Sequence, residues 1–328
     1  MHKPVLDRLV CAACRGDVNW QVAAAEAGDV LSATAACASC GATYEVRDGV
    51  AILAPFDAQD IWRDSTRGLA DALAAEPATR QALMGVPLFD LNGADLVFRA
   101  MVHEARGELA AAAQAIATAD PLLYGAEQRA CRDALLAACV RHCAASDWVL
   151  DVASGRGTLV ELLARAGIPV VASDLSAVAM LRLRARMADA GLTDMVDCLV
   201  ADAAALPFAD ASIPAATTYV GLQNIPDPRP ALAELRRACN GAFRNVGYGY
   251  PPDDAANRAA LTDLGFTATA DLDSLSSAAA SAGWATAVLE ECRSRAQPTP
   301  RGEVIAGGAV DALPVSATTL EWYLLEAS

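Results

Sequence analysis

The sequence predicts an α/β protein: a Rossmann-like sheet, preceded by a small cysteine-bearing ribbon and a helical block. Three observations carry this. Residues 148–159 read as an apolar strand, a turn of small residues and a helix. Two further apolar runs end in acids, Asp174 and Asp202, at the spacing of repeated β–α–β units. Two Cys-x-x-Cys pairs, Cys11/Cys14 and Cys37/Cys40, stand in the first forty residues.

The ribbon comes first. Each Cys-x-x-Cys turn aims two thiolates at one point, and two such turns complete a closed tetrahedral zinc site of structural type. The 22 residues between the pairs are filled by a long hairpin or loop. Tyr44 to Val46 alternates like a strand, Asp48-Gly49 is a hairpin turn, and residues 50–53 form the return strand. The ribbon, residues 1–55, holds four Lys or Arg against six Asp or Glu. That balance favours docking on protein over contact with RNA. Arg15-Gly16-Asp17 reads as a turn.

Residues 56–125 read as mostly helical. Residues 60–75 and 96–117 carry apolar positions among charges, and Pro77, Pro87, Gly93 and Pro121 punctuate the block. Residues 127–143 form a further helix leading into the sheet, in which Cys131, Cys139 and Cys143 are small apolar side chains.

The sheet domain occupies residues 126–328. Val149 to Val152 is its first buried strand, and Ala153, Ser154, Gly155 and Gly157 make the turn after it. Glycine admits a ligand close to the backbone N–H groups of a helix N-terminus, where a Cβ would stand in the way. Leu159, Leu162 and Leu163 mark one face of the helix that follows. Residues 169–174 and 195–202 are the next strands, 213–220 the fourth and 243–248 the fifth. The helix between the second and third strands bears Arg182, Arg184 and Arg186, read as a solvated face rather than an RNA patch. Residues 275–282 form a helix stopped by Gly283. Residues 285–294 and 318–325 are a last pair of strands, joined by a loop rich in Pro and Gly.

The run Asp151-x-x-x-Gly155-x-Gly157, then Asp174, then Asp202 with Leu206-Pro207-Phe208, resembles the class I S-adenosylmethionine (SAM)-dependent methyltransferases. The resemblance covers roughly the last two-thirds of the chain and implies a seven-stranded methyltransferase sheet. It implies that the turn at Asp151, Ala153, Gly155 and Gly157 holds the methionine part of SAM. Asp174 would hold the ribose with Leu175 against it, and Asp202 with Ala203 would meet the adenine. Tyr219 would stand near the transferring methyl group. Ala153 departs from the family, which usually has glycine there. Asn224-Ile-Pro-Asp227 is not the Asn-Pro-Pro-Tyr type of motif found in enzymes that methylate exocyclic amines. The cysteines together with Tyr44 and Asp48-Gly49-Val50 resemble the Trm112-like zinc ribbons, partners that stabilise methyltransferases. The helical block then corresponds to a lid over the acceptor, with Trp62, Phe89, Phe98, His103 and Tyr124 as candidate lining residues. Tyr248 and Tyr250 are candidates to face the acceptor from the fifth strand. His103, Tyr219 and Asn224 are the candidate catalytic residues. Asn224 can orient an acceptor but not take its proton at neutral pH.

Composition sets outer bounds. Of 328 residues, 54% are hydrophobic, 20% charged and 5% aromatic, as in a soluble globular protein. The net charge of −15 speaks against extended nucleic-acid binding, which phosphate neutralisation drives. No apolar run is long enough to span a bilayer, and the first residues lack a signal-peptide pattern, so a cytoplasmic protein is expected. The expected function is methylation of a small-molecule acceptor using SAM, with structural Zn2+ in the ribbon. RNA methylation aided by the ribbon and a non-catalytic SAM-binding protein are the alternatives; oligomeric state is not indicated.

Overall fold

The computed structural model describes residues 1–54 and 77–328, so the expected helix at 60–75 and Trp62 lie outside the described residues. The N-terminal region builds two antiparallel hairpins. Strand β1 (Val18–Glu26) turns at Ala27 and Gly28, both with positive φ, into β2 (Asp29–Cys37). Strand β3 (Thr43–Arg47) turns at Asp48-Gly49, φ +50° and +76°, into β4 (Val50–Ile52). An Asp-Gly pair tolerates the left-handed backbone that a two-residue hairpin needs.

The sheet does not stop there. β4 runs parallel to a strand of the α/β region, Val50 opposite Cys198 and Ile52 opposite Val200. The α/β region contributes β5 (Val149–Val152), β6 (Val170–Asp174), β7 (Val196–Val200), β8 (Ala216–Tyr219), β9 (Phe243–Gly249), β10 (Thr286–Ala296) and β11 (Thr318–Ala327). One eleven-stranded sheet results, ordered β1-β2-β3-β4-β7-β6-β5-β8-β9-β11-β10. Its last seven members are the seven-stranded α/β sheet expected from the sequence, with β11 inserted antiparallel between β9 and β10. The central strands are buried on both faces, hence their unbroken apolar runs.

Helices cover both faces. On one lie α5 (Ala126–Cys143), α6 (Thr158–Arg165) and α7 (Ala177–Asp189), packing Leu135, Leu163 and Leu183 onto the sheet. On the other lie α8 (Arg229–Ala238) and α10 (Leu272–Ser281), the latter preceded in the chain by α9 (Ala255–Asp263), with Leu235, Leu275 and Trp284 in a second core that also takes Leu6 of the ribbon's short α1 (Lys3–Leu6) and Leu9. In α6 only part of the expected face is buried: Leu159 and Leu163 are, whereas Leu162 is 38% exposed.

The helical block is two helices where one was expected over 96–117. After α2 (Pro77–Gly85), α3 (Gly93–Ala105) and α4 (Leu109–Leu123) meet at Gly107, φ +73°, a conformation costly to any residue with a Cβ. Asn92 caps α3 by accepting the Asp95 N–H at 3.0 Å. Leu83, Leu96, Phe98 and Val102 form a small core of their own, so Phe98 is structural. The long loop between β10 and β11 is laced to this block. Asp95, 1% exposed, accepts the backbone N–H groups of Glu303, Val304 and Ile305 at 2.8–3.0 Å.

Two readings of side chains are corrected. Cys131 is not a lone apolar thiol: it forms a disulfide with Cys292, tying α5 to β10. Their partners are 161 residues apart, so nothing local in the sequence announces the pair. The three arginines of α7 are not a solvated face. Arg186 and Arg182 approach the carboxylate of Glu104 on α3 at 2.9 and 3.9 Å, and Arg184 pairs with Asp29 of the ribbon. Glu104 is almost fully buried. The charges on α7 thus hold the helical block and the ribbon to the sheet.

Candidate functional site

Strands β6, β5 and β8 run parallel, so their C-terminal ends open on one edge, the usual place for a ligand in an α/β sheet. The turn after β5 sits there. Ala153, Gly155 and Gly157 all have positive φ, +53°, +50° and +77°. At Gly157 a Cβ would come within 2.4 Å of Leu183, so glycine is required by packing as well as by φ. At Gly155 a Cβ would meet nothing within 4 Å: it would stand in open space on the cavity wall, as at a turn shaped to admit a ligand. Ala153 takes the left-handed backbone despite its methyl group, a strained choice for an L-residue.

Three acids stand at or near the C-terminal ends of β5, β6 and β7. Asp151 is buried, accepting the Thr217 hydroxyl at 2.7 Å, and burial pushes its carboxyl up to about 7. Asp174, at the end of β6, accepts the Gly155 N–H and the Ser176 N–H, both at 2.9 Å. Burial raises its carboxyl too, and these backbone donors oppose the rise. Asp202, just past β7, accepts the Ala204 N–H at 2.8 Å and remains partly open to solvent.

A cavity of about 430 Å³ lies between the turn, the helical block and the β10–β11 loop. Of the expected residues, Asp151, Ala153, Gly155, Tyr219 and Asn224 line it. Gly157, Asp174, Leu175, Asp202 and Ala203 do not; Asp174 joins it through its bond to Gly155. Leu175 and Ala203 are half-buried against the two cores. Asn224 spends an amide N–H on the Val220 carbonyl at 3.0 Å. Val220 itself lines the cavity with φ +55°, unusual for a β-branched residue and a mark of strain at a strand end.

His103 is corrected. It is absent from the cavity wall, nearly buried on α3, with Nδ1 2.5 Å from Glu108 Oε2. Phe89 is 83% exposed and does not line the cavity either. Tyr124 and Tyr248 do line it, whereas Tyr250 is buried in the core.

Sequence reasoning missed Asp120, Arg132, Asp311 and Trp322. Arg132 reaches from α5 to Asp120 of α4 through two hydrogen bonds, 2.6 and 3.2 Å. Tyr124 donates its hydroxyl to Asp311 Oδ2 at 2.8 Å. Tyr248 and Trp322 pack with ring centres 4.9 Å apart. The length of the β10–β11 loop was the one available signal, since loops beyond about 12–15 residues without structure of their own are usually functional.

At the other end of the molecule, the sulfurs of Cys11, Cys14, Cys37 and Cys40 all lie within 4.8 Å of one another. Cys11–Cys40 and Cys14–Cys37 are each 3.5 Å apart. Tetrahedral zinc with bonds of about 2.3 Å sets its sulfurs about 3.8 Å apart, so the quartet fits that ion. Tyr44 directs its hydroxyl at Cys11 Sγ, 3.0 Å away.

Residues 150–241 match the family described as a methyltransferase domain. The demethylmenaquinone methyltransferase of Renibacterium salmoninarum is 47% identical over 90 residues, 27% of this chain and 35% of that one. Its counterpart in Paenarthrobacter aurescens is 44% identical over 99 residues, 30% and 36% of the two chains. The chain thus spans about a third of the length of these curated relatives. Among solved structures, a putative methyltransferase from Bacillus halodurans is 20% identical, covering 58% of this chain and 96% of that one, with a TM-score of 0.47.

Proposed function

We propose, starting from the match of residues 150–241 to the methyltransferase domain family, that this protein is a class I SAM-dependent enzyme that methylates a small-molecule acceptor held in the cavity beside the glycine turn. The observation that carries the reading is the opening of that turn, at Gly155, onto a cavity walled by elements outside the matched segment. SAM supplies a methyl group on a sulfonium, whose departure as a neutral thioether needs no proton.

The chain's own residues then have these tasks. Asp151, Ala153, Gly155 and Gly157 cradle the amino-acid end of SAM. Asp174 receives the ribose hydroxyls with Leu175 beside them, and Asp202 and Ala203 receive the adenine. Tyr219, at the end of β8, stands where the acceptor and the methyl group meet. Holding the two in line is the main catalytic contribution. The helical block and the β10–β11 loop exclude water from them. His103 takes no part.

The four thiolates hold a structural Zn2+, a reading supported by their spacing and by the closed character of a Cys₄ set. The acceptor of the demethylmenaquinone enzymes supports the small-molecule class, through a match over 27% of this chain. Nucleic acid is disfavoured: the net charge is −15, and the arginines of α7 are committed to Glu104 and Asp29.

Calorimetry with SAM and S-adenosylhomocysteine tests the reading. Wild type should bind both at micromolar concentration. Asp174→Ala should weaken binding by about a hundredfold, since paired charged hydrogen bonds to ribose would be lost. Absence of binding to either ligand would remove the methyltransferase reading.

A further inference from the structure

The glycine turn and the helical block meet at one carboxylate. Glu104 lies near the end of α3, shortly before the break at Gly107, and its side chain is 2% exposed. Its Oε1 accepts Arg156 Nη2 at 3.0 Å and Arg186 Nη1 at 2.9 Å. Arg156 stands between Gly155 and Gly157, in the turn itself. Its carbonyl oxygen accepts a second donor of Arg186. Arg156 is thus held from outside the turn by both its side chain and its backbone. That side chain is 42% exposed, so water was open to it as a partner, and it reaches Glu104 instead. A carboxylate buried as deeply as Glu104 needs such partners. Both flanking glycines have positive φ, so the backbone there offers little resistance of its own to displacement. Arg156 also lines the cavity, as do Val97 of α3 and Ile116 and Leu123 of α4.

Resting on the reading of this turn as the seat of SAM, we propose that Glu104 is a positioning residue for the cofactor: by holding Arg156 it ties the docking of the helical block to the shape of the turn. Glu104 is absent from the cavity wall, so it acts through Arg156 and not on a ligand. Docking of the block and binding of the cofactor then favour each other by the same factor, since one coupling free energy serves both. The charges show why the carboxylate matters. Arg182 Nη1 lies 3.9 Å from Glu104 Oε2, so three guanidiniums converge on a single acid. Without its charge they repel one another. Arg156 is the most exposed of the three and the one free to leave for solvent. Its departure draws the backbone between the two glycines out of place.

Glu104→Gln keeps the shape of the side chain and removes its charge. Wild type, Glu104→Gln, Arg156→Gln and Arg182→Gln are compared by calorimetry with S-adenosylhomocysteine. Amide hydrogen exchange over α3 and α4, residues 93–123, is followed with and without the ligand. In wild type the ligand should slow exchange in the block. Glu104→Gln should bind about tenfold more weakly, the value of a hydrogen bond between charged groups, and lose the slowing at saturation. Arg182→Gln removes a charge beside Glu104 without touching the turn. It should bind within about twofold of wild type and keep the slowing, as the loss of a long, partly exposed ion pair predicts. Wild-type affinity in Glu104→Gln overturns the proposal. So does an equal loss in Arg182→Gln, which would mark a general loosening of the block. Should Glu104→Gln not fold, Arg156→Gln cuts the same contact from the side of the turn. Slowing that persists in it at saturating ligand overturns the proposal; slowing that disappears supports it. Failure of wild type to bind S-adenosylhomocysteine removes the methyltransferase reading and this proposal with it, whereas wild-type binding that Glu104→Gln leaves intact removes this proposal alone.

Discussion

At the scale of single residues, Asp151 carries the most consequence. Its carboxyl is pushed up to about 7 by burial, well above the roughly 3.9 of an unfolded aspartate. The folded state therefore favours the protonated form. Stability associated with this group is fully present below about pH 4 and is lost as pH rises through about 7. Asp151→Asn keeps a neutral, hydrogen-bonding side chain beside Thr217 at every pH. Denaturant midpoints measured at pH 5 and pH 8 should fall with pH in wild type and fall less in the variant. An equal fall in both would mean that the Asp151 carboxylate is accommodated in the fold without cost. The positive φ angles of Ala153 and Val220 stand at the ends of the neighbouring parallel strands β5 and β8.

At the scale of elements, one side chain gathers the middle of the β10–β11 loop. Asp95 accepts three consecutive backbone N–H groups from it, and Val304, Ile305 and Val310 pack against the helical block nearby. Asp95→Ala should destabilise that loop locally by about 2–4 kcal/mol, the cost of leaving buried donors unpaired. Limited proteolysis would show it as faster cleavage within residues 303–310, with the rest of the chain resistant. This loop also shows where sequence reading ends. Strands β6 and β7 were legible, because an apolar run ending in an acid marks a buried strand and its functional edge at once, whereas β1 and β2, with mostly exposed side chains on β1, were read only as a long hairpin or loop. Tyr44, Asp48 and Gly49 announced their hairpin through turn chemistry. Asp311, Arg132 and the Cys131–Cys292 bond were not legible, because each matters through a partner far along the chain. His103 failed for the opposite reason: its residue type suggested chemistry, and a neighbour five positions away, Glu108, had already engaged it. The break at Gly107 was hidden by alanine, which favours helix on both sides of it.

At the scale of the whole molecule, ribbon, helical block and sheet share one framework. Arg182, Arg184 and Arg186 reach both appendages, and β4 hydrogen-bonds directly to β7. On the proposed reading of the four thiolates as a zinc site, removal of the ion should therefore be felt beyond the ribbon. Treatment with a chelator under reducing conditions should lower the melting temperature by roughly 5–10 °C. It should also weaken S-adenosylhomocysteine binding, because Asp202, proposed above to receive the adenine, lies just beyond β7. A drop confined to a separate low-temperature transition, with ligand binding unchanged, would show that the two regions melt independently. The junction has a further meaning during synthesis. Val50 pairs with Cys198, 148 positions later. At about 5–20 residues per second, the free edge of β4 waits roughly 7–30 s for its neighbour to leave the ribosome. Throughout that interval the nascent ribbon presents Val50 and Ile52 on a strand paired with β3 along one edge only, and it is at the other edge that a chaperone would have most to shield.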